Sequence, residues 1–262
     1  MDDGAADEVD DGADWHRRVV DRSLKSATKK SIDRGGSLIE AASLLLERSN
    51  GEGFTVQDVA DEAGQSLRTL YQYFASKDDL MLAVFEEAMR LFARMIRYAI
   101  ADLDDPVDRL AGGILAAARM HERSTSGVDR GLARLRLHLA EVEPELIARS
   151  RQPVTAVFEE LVTEAAAARG IDDVDPQEAA YLIAAMNSTY VSSLTLGNDF
   201  GMRMPDVLGL TKFCLGGLGA SLEPGWQDRL SKAIKMPPKR AASTPLKQTS
   251  TRAPRKRSAS RA

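Results

Sequence analysis

"GQSLRTLYQYFASK", residues 64–77, places Tyr71, Tyr73 and Phe74 within four positions of a 262-residue chain that is only 5% aromatic. Ser66 is a residue type that accepts hydrogen bonds from the free N–H groups of a helix start. A helix beginning there turns Leu70 and Phe74, four residues apart, to one side. Arg68, Thr69, Gln72 and Tyr73 then point mostly elsewhere. The segment reads as a short helix with an apolar inner face and a polar, basic outer face.

The flanking sequence supplies its partners. Upstream, Thr55 stands three residues before Asp58, a cap-like pattern. It opens a short helix in which Val56, Val59, Ala60 and Ala63 fall at i, i+3, i+4 and i+7. Gly64 ends that helix and Ser66 caps the next, the spacing of a helix-turn-helix. Before it, Leu38, Ala41, Ala42, Leu45 and Leu46 form a helical stripe that stops at "SNGEG" (49–53), with Gly35 and Gly36 marking its expected start. Downstream, Ser76 and Asp79 open a long helix, "KDDLMLAVFEEAMRLFARMIRYAI", apolar on two sides and therefore expected to be sandwiched against a larger helical body.

The second helix of such a pair is the one that enters the major groove of DNA. Tyrosine hydroxyls can donate to phosphates while the rings pack on protein, and a lysine at a helix start sits where N–H groups already favour an anion. Tyr71, Tyr73 and Lys77 fit a clamp on the DNA backbone. Periodicity alone leaves the tyrosines equally readable as core aromatics with wet hydroxyls.

"FTVQDVADEAGQSLRTLYQYFASKDDLMLAVFEE" (54–87) resembles the DNA-binding region of the TetR family of transcriptional regulators. The shared pattern is Thr-x-x-x-[Val/Ile]-Ala-x-x-Ala-Gly, then Thr-Leu-Tyr-x-Tyr-Phe, then Ser-Lys-x-x-Leu. The resemblance implies an all-α homodimer, with three N-terminal helices for a palindromic double-stranded DNA operator and a helical body holding a small-molecule pocket. By position it implies that Ser66, Leu67, Arg68 and Thr69 start the recognition helix and that Tyr71, Tyr73 and Lys77 contact phosphates, with Thr55 and Gln72 beside them. Arg68 is the expected base contact, because its planar fork pairs with guanine O6 and N7. The chain departs from the family at two positions. Gln65 stands where an apolar residue usually packs between the short helices, and Leu67 stands where a polar or basic one is common. Leu67 either touches a thymine methyl or swings inward, and its periodicity with Leu70 and Phe74 favours the second.

Charge is segregated along the chain although the net is only −4. Residues 1–14 carry seven acids and no base, residues 15–34 seven bases and two acids, and residues 239–262 eight bases and no acid. The poorly apolar ends read as disordered: an acidic then basic arm over 1–30 and a basic tail over 223–262. A helix-turn-helix domain is expected over 31–76 and a ligand-binding and dimerisation domain over 77–222. The basic 15–34 stretch is either a solvated face or a DNA-tracking arm.

Within the body, helices are expected near Pro106–Glu122, Gly131–Glu141, Pro144–Arg169, Pro176–Leu196 and Pro205–Ala220, several with proline in the first turn. Leu208, Thr211, Leu215 and Leu218 share a face and fit either a dimer interface or an internal core helix. Polar residues on apolar helices nominate Arg119, His121, Arg134, His138, Tyr181, Asn187 and Tyr190 as pocket anchors, with Phe158 and Met186 among the apolar lining. A hydrophobic ligand, with an anionic group for Arg119 or Arg134, suits such a chamber.

The composition argues against other classes. The lone Cys214 excludes an internal disulfide framework, and no apolar run reaches membrane-spanning length, which suits a cytoplasmic protein. His16, His121 and His138 are too far apart for metal-ligand spacing and no glycine-rich phosphate loop occurs, so neither catalysis nor a metal or other cofactor is expected. The remaining alternative is a DNA-coating protein that binds through its basic tail without sequence preference.

Overall fold

The computed structural model describes residues 13–49, 53–122, 127–169, 173–197 and 203–236, with backbone alone for 13–21, 122 and 127–128. Among the described residues all regular structure is helical, as the periodicity predicts. The elements are α1 (Ala13–Arg48), α2 (Val56–Glu62), α3 (Leu67–Tyr73), α4 (Lys77–Ala99), α5 (Pro106–Glu122), α6 (Gly127–Val142), α7 (Pro144–Ser150), α8 (Gln152–Arg169), α9 (Pro176–Leu196), α10 (Val207–Gly217) and α11 (Trp226–Ala233).

Two apolar cores organise them. The smaller joins Leu38, Ala42 and Leu46 of α1 with Val59, Ala60, Leu70 and Phe74 of the α2–α3 pair and Leu80–Phe85 of α4. Leu135, Leu139 and Ile147 from α6 and α7 close it, so the small core is completed by residues of the body. The larger is centred on α5, where Val107, Leu110, Ala111 and Ile114 through Ala118 are shielded from solvent. A helix apolar all round must be enclosed, and α5 packs against α4, α8, α9, α10 and α11. Gly112 and Gly113 allow this closeness: a Cβ there would lie 2.7 Å from Leu103 Cδ1 and 2.9 Å from Leu161 Cδ1.

Four expectations are corrected. Residues 13–30 are not a disordered arm but the first half of α1, which runs unbroken for 36 residues. Gly35 and Gly36 lie inside it, since a glycine costs a helix only about 1 kcal/mol relative to alanine. The expected Pro144–Arg169 helix is broken at Arg151 into α7 and α8. Pro153 lacks the N–H that would bond the carbonyl four residues back, and its ring crowds that carbonyl. The tail does not begin at 223: Trp226, Leu230 and Ile234, spaced i, i+4, i+8, bury one face of α11. Arg229 grips Asp108 with two hydrogen bonds of 3.0 and 2.8 Å, and the Lys235 N–H donates to the Ala99 carbonyl. Residues 237–262 lie outside the described residues. Finally, Thr211 and Leu215 on α10 are buried against the body, so that stripe is internal.

Candidate nucleic-acid interface and the helical body

The helix-turn-helix is fixed by caps at its helix starts. Thr55 Oγ1 accepts from the Asp58 N–H and the Asp58 carboxylate accepts from the Thr55 N–H, a reciprocal capping box that opens α2. Hydrogen bonds from the Thr55 backbone and hydroxyl, with nearby Lys77, hold the Asp58 carboxyl below its ordinary value. Gly64, at φ +63°, makes the left-handed turn, and the Gln65 N–H returns to the Ala60 carbonyl. Ser66 Oγ then accepts from the Thr69 N–H at 3.0 Å to open α3. Leu70 and Phe74 enter the small core.

This leaves one face of α3 to solvent. Arg68 and Gln72 are exposed, Tyr71 is 52% exposed, and Thr69 is half-buried with its hydroxyl 2.8 Å from Ser66 Oγ. Tyr73 packs partly against the core and lies beside Gly35. Ser66, Arg68, Tyr71 and Gln72 therefore share an accessible surface. Thr55 is engaged in its capping box. Lys77 donates to the Phe54 carbonyl with its ammonium 4.7 Å from the Phe54 ring centre; two of its three N–H donors remain for an anion. Leu67 is half-buried but does not reach the small core, so the inward turn expected for it is not made.

Gln65 explains its own departure from an apolar residue. Its amide Nε2 donates to the Arg34 carbonyl at 3.0 Å and to Ser37 Oγ at 2.5 Å, which binds the turn to α1 by hydrogen bonds instead of packing. Behind the domain, an open cleft of about 600 Å³ is lined by Asp58, Asp61 and Glu62 with Leu45, Arg48 and Phe54.

The nine pocket candidates are not brought together. Phe158 is in the centre of the large core, with Met186 and Tyr190 against it and Asn187 buried nearby. Arg119 donates to Ser231 Oγ of α11 at 2.9 Å. His121 Nδ1 stands 3.1 Å from Asp129 Oδ1, without hydrogen-bond alignment, and its ring lies 5.0 Å from that of Phe92. Arg134, His138 and Tyr181 are exposed, and His138 Nε2 pairs with Asp78 Oδ1 at 2.9 Å.

The polar feature missed from sequence is Arg136 with Arg151. Arg136 Nη2 donates to Ser192 Oγ at 2.8 Å, and Arg151 Nη2 lies 3.5 Å from the Ala184 carbonyl, so both reach α9. Burial, then the Arg151 charge, push the Arg136 guanidinium below its ordinary value. Among the described residues neither has a carboxylate partner. Asn187, between their attachment points, has a buried Oδ1 with no hydrogen-bond partner. Arg136 follows the nominated Arg134 by two residues, about 200° around a helix, so the two lie on nearly opposite faces of α6, one exposed and one turned to α9.

A capped helix pair exposing a polar face, carried on a larger all-helical body, defines a helix-turn-helix protein of two-core architecture. Residues 38–84 match the family described as "Bacterial regulatory proteins, tetR family". Over 93 residues the chain is 32% identical to an uncharacterised HTH-type transcriptional regulator of Mycobacterium tuberculosis (strain ATCC 25618 / H37Rv), a match covering 36% of this chain and 45% of the relative. The chain thus spans less than half the length of that curated relative. In fold it is similar to the transcriptional regulator FadR from Bacillus subtilis in complex with stearoyl-CoA (TM-score 0.52, 20% identity, 71% of this chain and 98% of that one). It is likewise similar to RolR in complex with resorcinol (TM-score 0.53, 15% identity, 85% and 100%). Residues 38–84 of the chain thus carry the helix-turn-helix segment of the TetR family of transcriptional regulators.

Proposed function

We propose that the protein is a homodimeric, sequence-specific transcriptional repressor that binds a palindromic operator and leaves it when a small, largely hydrophobic ligand occupies the body. The observation that carries the first half is the exposed face of α3. Arg68, Tyr71 and Gln72 project from a helix whose position is fixed by the Ser66 cap, by Leu70 and Phe74 in the core and by Gln65 on α1. Arg68 reads a base; Ser66, Tyr71, Tyr73 and Lys77 hold phosphates. Such a protein works in the cytoplasm, at the chromosome.

Dimerisation is assigned to the outer faces of α9 and α10. Tyr181 and Leu182 on α9 and Phe213 on α10 are exposed large apolar residues, and Gly216 and Gly217 leave open space for a close partner. A two-fold dimer presents two α3 helices to one operator.

The ligand reading rests on the body's composition. Met89, Met120, Met186, Met204 and Met236 border the large core, and flexible thioethers re-pack around an apolar guest. The unneutralised Arg136 and Arg151 supply the anchor for an anionic end, in place of Arg119 and Arg134. FadR and RolR, similar in fold, were solved with stearoyl-CoA and resorcinol respectively. Release of DNA requires the ligand to bind the non-operator conformation more tightly than the operator-bound one.

The test is selection of duplexes from a random-sequence pool by the full chain, followed by fluorescence anisotropy on the selected site and a scrambled copy. The expected result is one palindromic site, preferred over the scramble, with Arg68→Ala weakening it by about 5- to 150-fold, the equivalent of 1–3 kcal/mol. Enrichment of no sequence, with equal binding to both duplexes, would overturn specific reading in favour of coating through the basic tail.

A further inference from the structure

Between Arg22 and Asp33, α1 buries no side chain. From Arg22 to Arg34 every residue is exposed, and burial begins only with Leu38. A helix that packs on nothing gains no tertiary stabilisation, and one polar on most sides reaches solvent or a partner outside the chain.

Contacts along α1 fix its direction. Near its C-terminal end, Leu46 lies against Gly131 of α6, so this end faces the body, and Arg48 pairs with Glu62 at the end of α2 at 2.9 Å. At the level of 34–37, α1 is crossed by the turn and by α3: Gln65 bonds Arg34 and Ser37, and Tyr73 lies beside Gly35. The remaining stretch, Ala13 to Asp33, continues past the level at which the turn and α3 cross α1, away from the end that meets α6. At 1.5 Å per residue it extends about 30 Å beyond the recognition helix.

Its charge suits a polyanion. Arg22, Lys25 and Lys29 recur at i, i+3 and i+7, one face of the helix, with Lys30 and Arg34 following on an adjacent face. Among the described residues no carboxylate comes within ion-pair distance of any of the five. Arg22 to Lys29 spans about 10 Å of helix axis, the length over which one strand of B-DNA presents about three phosphates.

We propose that residues 13–34 form a helical arm that lies along the phosphates flanking the half-site read by α3, with Arg22, Lys25 and Lys29 as its contact stripe. This rests on the DNA-binding reading above and adds a second, sequence-independent contact to it. The arm reaches about 9 bp past the half-site at 3.4 Å per step. Leu24 and Ile32, exposed beside the stripe, mark the competing occupant, a second copy of the chain.

The test compares the full-length protein with the triple variant Arg22→Ala, Lys25→Ala, Lys29→Ala. The three residues are exposed and alanine favours helix, so the fold is retained; a thermal melt checks it. Two duplexes carry the selected site, one ending at its edges and one with 10 bp of arbitrary flank on each side. The expected result is that wild type prefers the flanked duplex whatever the flank sequence. Its log K against log salt slope should be steeper there by up to about 2.7 per protomer. The triple variant should bind the two duplexes alike. A wild type indifferent to the flank, or a variant that keeps the preference, overturns the arm. If selection yields no site, specific reading fails separately, and the comparison is made on a 40-bp duplex of arbitrary sequence. There a shallower slope for the variant supports the arm, and equal slopes overturn it. Salt-sensitive self-association of wild type without DNA, lost in the variant with no change on any duplex, assigns the face to a second copy and also overturns the proposal.

Discussion

Replacing Gly131 by alanine tests how tightly the DNA-binding end is joined to the body. A Cβ at Gly131 would lie 2.7 Å from Leu46 Cγ, 3.2 Å from Leu46 Cδ1 and 3.2 Å from the Leu46 carbonyl oxygen. Neither the branch atom of a buried leucine nor a helix carbonyl moves away as the tip of a flexible side chain would, so α1 must shift on α6. The natural control is Gly36→Ala in α1, where a Cβ meets nothing within 4 Å. Both substitutions gain the same helix-propensity term, about 1 kcal/mol. The difference between them therefore isolates the steric cost, about 1–3 kcal/mol for overpacking. At about 2–4 °C per kcal/mol for a domain of this size, Gly131→Ala should melt about 2–12 °C below Gly36→Ala by calorimetry of the full chain. A double-mutant cycle sharpens the result: Leu46→Ala should cost less in the Gly131→Ala background than in wild type, because it relieves the clash. Equal rises in Tm for the two glycine variants, with additive Leu46→Ala effects, would refute the close α1–α6 contact.

Other outcomes follow from single sites. Burial pushes the Cys214 thiol up to about 11, so a disulfide reagent at pH 8 should label the native protein very slowly and the denatured protein at once; rapid native labelling refutes the buried placement. Phe213→Glu puts a charge on a side chain that is 70% exposed and should convert dimer to monomer in sedimentation without lowering Tm of the protomer; an unchanged dimer moves the interface elsewhere. Arg136→Met keeps apolar bulk while removing a half-buried charge that faces Arg151, so thermal stability should be unchanged or raised. A drop of more than about 2 kcal/mol would show instead that Arg136 is a structural hydrogen-bond donor. Hydrogen bonds from Thr55 hold Asp58 below its ordinary value, so its contribution to stability is present above that ordinary value and lost as pH falls through the lowered folded one. Wild type and Asp58→Asn should therefore differ at neutral pH and converge in acid; a constant gap in their melting temperatures contradicts the capping role.

What the sequence reveals depends on the range of the interaction. The α2–α3 pair is legible because caps and i, i+4 apolar pairs are local: Thr55–Asp58, Ser66–Thr69 and Leu70–Phe74 each lie within one turn. Helices α5 and α9 are equally legible, since Pro106 and Pro176 mark their starts. The Arg22–Arg34 part of α1 is not, because apolar periodicity detects burial and this stretch has none, while Gly35 and Gly36 look like a break. For α11 a local signal was present, Trp226, Leu230 and Ile234 at helical spacing, hidden by the polar residues that follow. The pocket candidates are spread apart for another reason. Which of Arg134 and Arg136 faces α9 depends on how α6 is rolled against its neighbours, and that rotation is decided by residues far away in sequence.

The two cores are not separated by a hinge, and this bears on how a ligand could act. Helix α4 contributes Leu80–Phe85 to the small core and Ala93, Ile96 and Ala99 to the large one. Helix α6 contributes Leu135 and Leu139 to the small core, while Arg136 reaches α9 between them in sequence. A ligand that displaces Arg136 from Ser192 therefore acts on the helix whose next residues pack beneath the helix-turn-helix. Two residues further on, His138 holds Asp78, in the first turn of α4. The adjacent Lys77 holds the Phe54 carbonyl just ahead of α2. Movement of α6 thus draws on the start of α4 and the entrance of α2, which bracket α3 in sequence on either side. Packed elements of this kind shift as bodies and do not stretch, so in the proposed dimer a small roll of α6 would change the separation of the two α3 helices and with it their fit to the proposed half-sites.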